Sequence, residues 1–196
     1  INITNVQEDM ISTINRLLKA YPSAIAGDVR TVLDGIDLCA EIDPSGSFSV
    51  KFGNEILEIP GRVYFHQDNL VYTYHNFNPV QYDILNCLFS RHHNGYIREK
   101  CLRHIIRSQN AWIAPFVIRL AGEYVIEILS VIETELNHIN RDLFKIFLEE
   151  NPGFYELIKQ RVISYWDCYY RARYWKREYY VGFRIIEFFD RLIEKS

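Results

Sequence analysis

The chain has 196 residues, of which 48% are hydrophobic and 24% are charged, and these proportions exclude a disordered polymer. Its net charge of -3 argues against a general nucleic-acid binder, because such proteins usually carry an excess of positive charge. The length fits one domain, 1–196, with a possible division into an α/β part at 1–76 and a helical part at 77–196.

Targeting signals and cysteine motifs are both missing from the sequence. The N-terminal residues show neither the basic nor the apolar region of a secretory signal, and no apolar run reaches the roughly 18 residues that a membrane span needs. We therefore expect a soluble cytoplasmic protein without a membrane partner. The cysteines lack the paired spacing of zinc sites, so we expect free structural thiols and no metal or other cofactor: Cys39, Cys87, Cys101 and Cys168.

Two helices are predicted at the start of the chain. Apolar residues recur at helical spacing over 5–20, and Pro22 follows as a stop signal. A shorter helix is predicted over 27–40, although Gly35 interrupts its apolar stripe.

An antiparallel β-meander is predicted over 48–74, where apolar and polar residues begin to alternate. Gly53-Asn54 has the composition of a two-residue turn whose twist suits paired strands, and this turn places Val50 opposite Leu57. The predicted strands are 48–52, 55–59, 62–66 and 70–74.

The rest of the chain is predicted to be helical. Asn78-Pro79 resembles a helix start, with a capping residue before proline, and 111–136 is the most apolar stretch, which predicts a central helix. The expected fold class is therefore α+β and predominantly helical: N-terminal helices, the small meander, then a C-terminal helical bundle or a HEAT-like helical array. Two further helices are predicted on either side of the break at 151–153, one at 140–150 and one at 154–170. A last helix is predicted at 177–195.

A basic stripe is the first candidate binding surface. Its members recur at the spacing of one helix face: Lys100, Arg103, His104 and Arg107. Such a face suits phosphate or an acidic protein. It is equally typical of the solvated outer face of an amphipathic helix that makes ion pairs with a neighbour.

The second candidate is the stretch 165–180, here named the aromatic–basic tract, in which tyrosine and tryptophan interleave with four basic residues. Aromatic rings with positive charge suit single-stranded nucleic acid, and they are also common anchors of protein interfaces. The competing interpretation is that half of the rings form the core of the last two helices, which suits Tyr165, Trp166, Tyr169 and Phe183. The members predicted to bind a partner are Tyr170, Arg173, Tyr174, Trp175, Lys176 and Arg177.

Catalytic and metal sites have weaker support in the sequence. Glu123 and Glu127 lie on the polar stripe of the most apolar predicted helix, where paired carboxylates suit acid–base chemistry. Arg119 precedes Glu123 by four residues, however, which equally suggests an ion-paired strut. His92-His93 lacks the spacing of a metal site, and signatures of phosphate loops, dinucleotide sites, nucleophile elbows and kinases are absent from the sequence.

These patterns favour recognition over catalysis. We expect a non-catalytic macromolecule-binding protein with a protein partner, in its most specific form a small cytosolic inhibitor such as an immunity protein that neutralises a bacterial toxin. This specific form is an analogy with the general character of immunity proteins. If the toxin is basic, the acid-rich stretches 1–60 and 111–160 compete with the aromatic–basic tract as the binding surface. The alternatives are an enzyme with a carboxylate site around Glu123 and Glu127, and a single-stranded nucleic-acid binder through 165–180.

Overall fold

The computed structural model describes residues 3–36, 40–42, 46–65 and 77–194. It is mostly helical, at 66%, and its strands form small antiparallel pairs. The described chain packs into two compact units, Ile1–Asn94 and Gly95–Ser196. The predominantly helical α+β class is confirmed, whereas the single domain and the bundle or HEAT-like arrangement stay predictions.

The first unit combines helices with short strands around an apolar core. Leu17, Val29 and Ile84 are fully buried. The helix Ala26–Asp34 (α2) packs against both Ile3–Leu18 (α1) and Pro79–Phe89 (α3). The Tyr21 hydroxyl donates a hydrogen bond to the Ile84 carbonyl at 2.9 Å, which ties the end of α1 to α3. The elements are α1 (Ile3–Leu18), α2 (Ala26–Asp34), β1 (Ala40–Ile42), β2 (Phe48–Phe52), β3 (Glu55–Ile59), β4 (Val63–Phe65) and α3 (Pro79–Phe89).

The start of α3 follows the sequence prediction. The Asn78 side chain accepts a hydrogen bond from the Gln81 backbone N–H at 2.9 Å, and the Gln81 side chain accepts one from the Asn78 N–H at 3.1 Å. This reciprocal cap satisfies two backbone donors that a helix start leaves unpaired. Pro79 occupies the first helical position, where its missing N–H has no cost.

The hairpin β2–β3 is confirmed with the predicted register. Val50 pairs with Leu57 and both are buried, so one face of the hairpin faces the core. Gly53, at φ 58°, supplies the positive φ that the first position of this two-residue turn requires.

The prediction of a β-meander is wrong. β4 pairs with β1, in the register Ile42 to Val63, rather than with β3, so the described strands form two separate two-stranded sheets. The segment around Ala40, predicted as the end of a helix, is a strand because α2 already ends at Asp34. The predicted strand at 70–74 lies outside the described residues.

The second unit contains the remaining helices. Its core includes fully buried residues from several of them, such as Ile128, Ile158 and Phe189. α9 packs against α6, α7 and α8, while α5 packs against α6, α7 and α8. The helices are α4 (Gly95–Ile105), α5 (Ala114–Ala121), α6 (Ile126–Glu135), α7 (Arg141–Glu150), α8 (Pro152–Tyr165) and α9 (Val181–Glu194).

The predicted helix over 111–136 is interrupted after Ala121. Gly122 lies so close to α8 that an added Cβ would sit 3.2 Å from Ile158 Cδ1. The Gly122 carbonyl accepts a hydrogen bond from Arg161 Nε at 3.0 Å instead of a backbone hydrogen bond within a helix. The chain therefore turns between α5 and α6, and Glu123 lies in that turn.

Candidate functional site

The aromatic–basic tract connects α8 to α9 within the second unit. The predicted helix over 154–170 ends as an α-helix at Tyr165 and continues as a π-helical turn, Trp166–Tyr170. The N–H groups of Arg173 and Tyr174 both donate to the Tyr170 carbonyl, at 3.0 and 2.8 Å, and close the turn. Turns of this type are rare and occur often at functional sites, because they redirect the side chains that follow.

Two buried rings hold the tract in place. Trp166 is buried, and its Nε1 donates to the Tyr174 carbonyl at 2.7 Å. Tyr180 is fully buried and stacks on Tyr170, with ring centroids 5.1 Å apart. The Phe183 ring meets the edges of both Trp166 and Tyr180, with centroids 5.5 and 6.0 Å away. The tract is therefore fixed at both ends by core aromatic contacts.

The remaining members of the tract face solvent to different degrees. Trp175 is 68% exposed and Tyr179 is 50% exposed, and neighbouring exposed rings form the kind of apolar patch that marks interaction sites. Tyr169, which the core interpretation placed inside, is exposed as well, so that part of the prediction is wrong. Tyr170 and Tyr174 are half-buried, while Arg173, Lys176 and Arg177 are exposed.

Lys176 joins the two exposed rings into one surface. Its Nζ lies 4.9 Å from the Trp175 ring centroid and 5.6 Å from that of Tyr179. These distances are within the range of cation–π attraction, which limits the freedom of all three side chains. Nζ also lies 3.5 Å from a Glu178 carboxylate oxygen, so its charge is partly compensated.

A surface groove of about 450 Å³, here named the Trp166 groove, opens beside the tract. The guanidinium groups of Arg171 and Arg177 each lie 5.5 Å from the Trp166 ring centroid. Arg171 is ion-paired with Asp167 at 2.7 Å, whereas Arg177 has no carboxylate partner within the described part of the chain. The groove is lined by Gln160, Ile163, Ser164, Trp166, Asp167, Arg171 and Arg177.

Tyr124, which lies outside the tract, forms a tyrosine cluster with the tract members Tyr165 and Tyr169, and the sequence did not predict this. The three ring centroids lie 5.9 to 6.2 Å apart. The Tyr170 hydroxyl donates to the Tyr124 carbonyl at 2.5 Å, which gives Tyr124 a further contact with the tract. Tyr124 lies more than forty residues earlier in the chain, so no local pattern could place it here.

The basic stripe of α4 is exposed, but acidic neighbours compensate part of its charge. Arg103 pairs with Glu99 at 2.7 Å, and Arg107, just past the end of α4, makes two hydrogen bonds to Glu135 at 2.6 and 2.9 Å. The hydrogen bonds that Arg107 donates to Glu135 raise the pKa of the guanidinium and lower the pKa of the carboxylate. This geometry favours the ion-paired outer face, and a binding role for these residues with Lys100 and His104 stays a prediction.

Glu123 and Glu127 occupy different environments. The Glu123 carboxylate is buried and lies 3.6 Å from the buried guanidinium of Arg98. Glu127, in the first turn of α6, is exposed. A buried carboxylate beside an arginine is the arrangement of an ion-paired strut, and Arg98 supplies the arginine here. The geometry therefore does not favour the catalytic alternative.

His92 and the two buried cysteines, Cys87 and Cys101, have ordinary structural surroundings. The buried His92 Nδ1 accepts a hydrogen bond from the Asn94 N–H at 2.9 Å, and its ring stacks on Phe65. Across the described ranges there is no group of three metal-ligating side chains. Cys101 is a buried free thiol whose pKa burial raises to about 12, while Cys168 is free and exposed, contrary to the structural role expected for it. Cys39 lies outside the described residues.

Comparisons with protein-family models, curated proteins and solved structures found no match to this chain. Within the described residues, no helix has the length and apolar character required to cross a membrane. A functional assignment therefore depends on the geometry of the candidate surfaces themselves.

Proposed function

We propose that the chain is a non-catalytic binding protein whose aromatic–basic tract docks on a protein partner. One observation carries the proposal: Trp175 and Tyr179 are both largely exposed, and Lys176 joins them in a segment that buried Trp166 and Tyr180 hold in place. Rigid exposed aromatic residues beside basic groups are the usual anchors of protein interfaces. Fixing them in advance reduces the conformational entropy lost on binding.

A protein partner fits the charge pattern better than a nucleic acid. Two of the four basic residues of the tract already pair with carboxylates, Arg171 with Asp167 and Lys176 with Glu178. The chain as a whole carries a net charge of -3. A phosphate backbone gains most of its affinity from many uncompensated positive charges, and this tract offers two, Arg173 and Arg177.

The more specific expectations belong to the same proposal. The protein would be a toxin-neutralising immunity protein of the cytoplasm, and its C-terminal helices would form a bundle or a HEAT-like array. The analogy rests on a small chain whose sequence has no catalytic motif, and the acid-rich stretches 1–60 and 111–160 remain rival surfaces for a basic toxin. Only a partner's identity can separate these forms.

The test is a capture experiment with the whole chain as bait in an extract of its native host. We expect one protein to be retained near stoichiometrically, and the Trp175→Ala/Tyr179→Ala variant to lose it. Truncation of interface anchors costs about 2 kcal/mol or more, which weakens affinity roughly thirtyfold. Tyr96→Ala serves as the matched control, because Tyr96 is 84% exposed on α4, outside the tract.

Three outcomes would contradict the proposal. Equal retention by the double variant would exclude the tract as the interface. No retained protein, even when the product of the neighbouring gene is added, would exclude a stable protein partner. Binding of a labelled single-stranded oligonucleotide that the double variant loses, without any captured protein, would replace the proposal by the nucleic-acid alternative.

A further inference from the structure

We infer that the Trp166 groove captures an aspartate or glutamate side chain from an acidic segment of the protein partner, with Arg177 as the recognising cation; this rests on the proposed function. The Arg177 guanidinium lies 5.5 Å from the Trp166 ring centroid and 5.4 Å from that of Phe183. The two rings restrict its position. A guanidinium that is already positioned loses little freedom when it binds a carboxylate through paired hydrogen bonds.

The charges of the groove leave this one cation uncompensated. Its lining contains two arginines and one aspartate, and Asp167 pairs with Arg171 at 2.7 Å. A single positive charge therefore remains, at Arg177, on a chain whose net charge is -3. Charge complementarity thus selects a ligand with one negative charge.

The uncharged lining matches the rest of an acidic side chain. Ile163 and the Trp166 indole provide an apolar wall, on which the methylene groups of a glutamate or aspartate lose contact with water. Ser164 and Gln160 add hydrogen-bonding groups to the lining. A carboxylate on a short aliphatic stem uses both kinds of surface.

A nucleic-acid strand fits the same groove less well. Asp167 lines the groove and Glu178 follows Arg177 in the chain. Because these carboxylates already pair with Arg171 and Lys176, the groove offers several phosphates of a polyanionic backbone only one uncompensated cation, Arg177.

The test is selection of short random displayed peptides on the whole protein. We expect the selected peptides to be enriched in Asp or Glu, and the Arg177→Gln variant to bind them roughly tenfold more weakly, which corresponds to about 1.4 kcal/mol. Replacing the acidic residue of a selected peptide by its amide should cause the same loss. Arg191→Gln is the matched control, because Arg191 is an exposed arginine on α9 outside the tract.

The outcomes separate this inference from the proposed function. Peptides without acidic enrichment, or equal binding to the Arg177→Gln variant, would overturn the groove assignment. If a captured partner still depends on Trp175 and Tyr179, the proposed function stands even though the groove assignment is wrong. Acidic peptides that need Arg177, combined with no captured partner, would support the groove and leave the proposed function wrong. A selected peptide displaced by a single-stranded oligonucleotide but not by free glutamate would overturn the carboxylate assignment.

Discussion

At the scale of single residues, two buried tyrosines of the second unit differ in whether their hydroxyl group has a hydrogen-bond partner. The Tyr155 hydroxyl donates to Asp190 at 2.9 Å and lies 3.1 Å from the Ile186 carbonyl. The Tyr180 hydroxyl has no hydrogen-bond partner among the described residues, although its ring is fully buried. A buried hydroxyl without a partner costs free energy, whereas a bonded one contributes to stability.

Replacing each of these tyrosines by phenylalanine should therefore affect the free energy of unfolding differently. We expect Tyr155→Phe to lower the free energy of unfolding by about 1 kcal/mol, because two acceptors lose their donor. Tyr180→Phe should leave the free energy of unfolding unchanged or raise it by about 1 kcal/mol. Urea unfolding followed by tryptophan emission measures both. A clear loss of stability in Tyr180→Phe would show that its hydroxyl has a partner in solution.

At the scale of elements, the sequence predicted the features that neighbouring residues determine and missed those that distant contacts determine. The hairpin β2–β3 and its register follow from alternation and a two-residue turn, both of which lie within a dozen residues. The pairing of β1 with β4 was missed because strands of three residues are too short to show a period. The break after α5 was missed because glycine is a weak signal, and here the contact of Gly122 with Ile158 and Arg161 decides it.

The hairpin turn offers a test of backbone conformation without a change in packing. An added Cβ meets no atom within 4 Å at either Gly53 or Gly27, so space does not distinguish them. Gly53→Ala forces a side chain into the left-handed region, and we expect a loss of roughly 1 kcal/mol. Gly27→Ala, in α2, should instead stabilise by up to about 1 kcal/mol. Thermal unfolding followed by circular dichroism compares the two, and equal effects would contradict the turn assignment.

The candidate site was predictable in position but not in its division between core and surface. The composition of 165–180 marked the tract, because aromatic and basic residues are concentrated there. A continuous helix would have turned Tyr169 inward. The π-helical turn contains more residues per turn than an α-helix, so it moves Tyr169 to the surface and brings Trp166 to Tyr174. No propensity scale signals such a turn.

At the scale of the whole molecule, the buried tyrosines link stability to alkaline pH. Burial is the main cause that raises the pKa of Tyr21, Tyr155 and Tyr180 above the ordinary value near 10. For Tyr155 the Asp190 carboxylate adds to the effect. The folded chain thus keeps these phenols protonated at pH values where the unfolded chain ionises them.

We expect the protein to lose stability as the pH rises above about 10, because the unfolded state then binds fewer protons than the folded state. The stabilising contribution is fully present below that pH and decreases towards the raised pKa values of the folded state. Tyrosinate absorbance and helical circular dichroism, recorded against pH, should show the last tyrosines ionising together with loss of structure. Complete tyrosine ionisation with the helices intact would contradict this linkage, and Tyr180→Phe should shift the transition to higher pH.

The exposed ring of the tract also gives the molecule an optical reporter of its own. All three tryptophans of the chain, Trp112, Trp166 and Trp175, belong to the second unit. Two of them are buried and one faces water. A collisional quencher such as iodide should therefore reach Trp175 selectively, and a docked partner would shield that emission without any label attached to the protein.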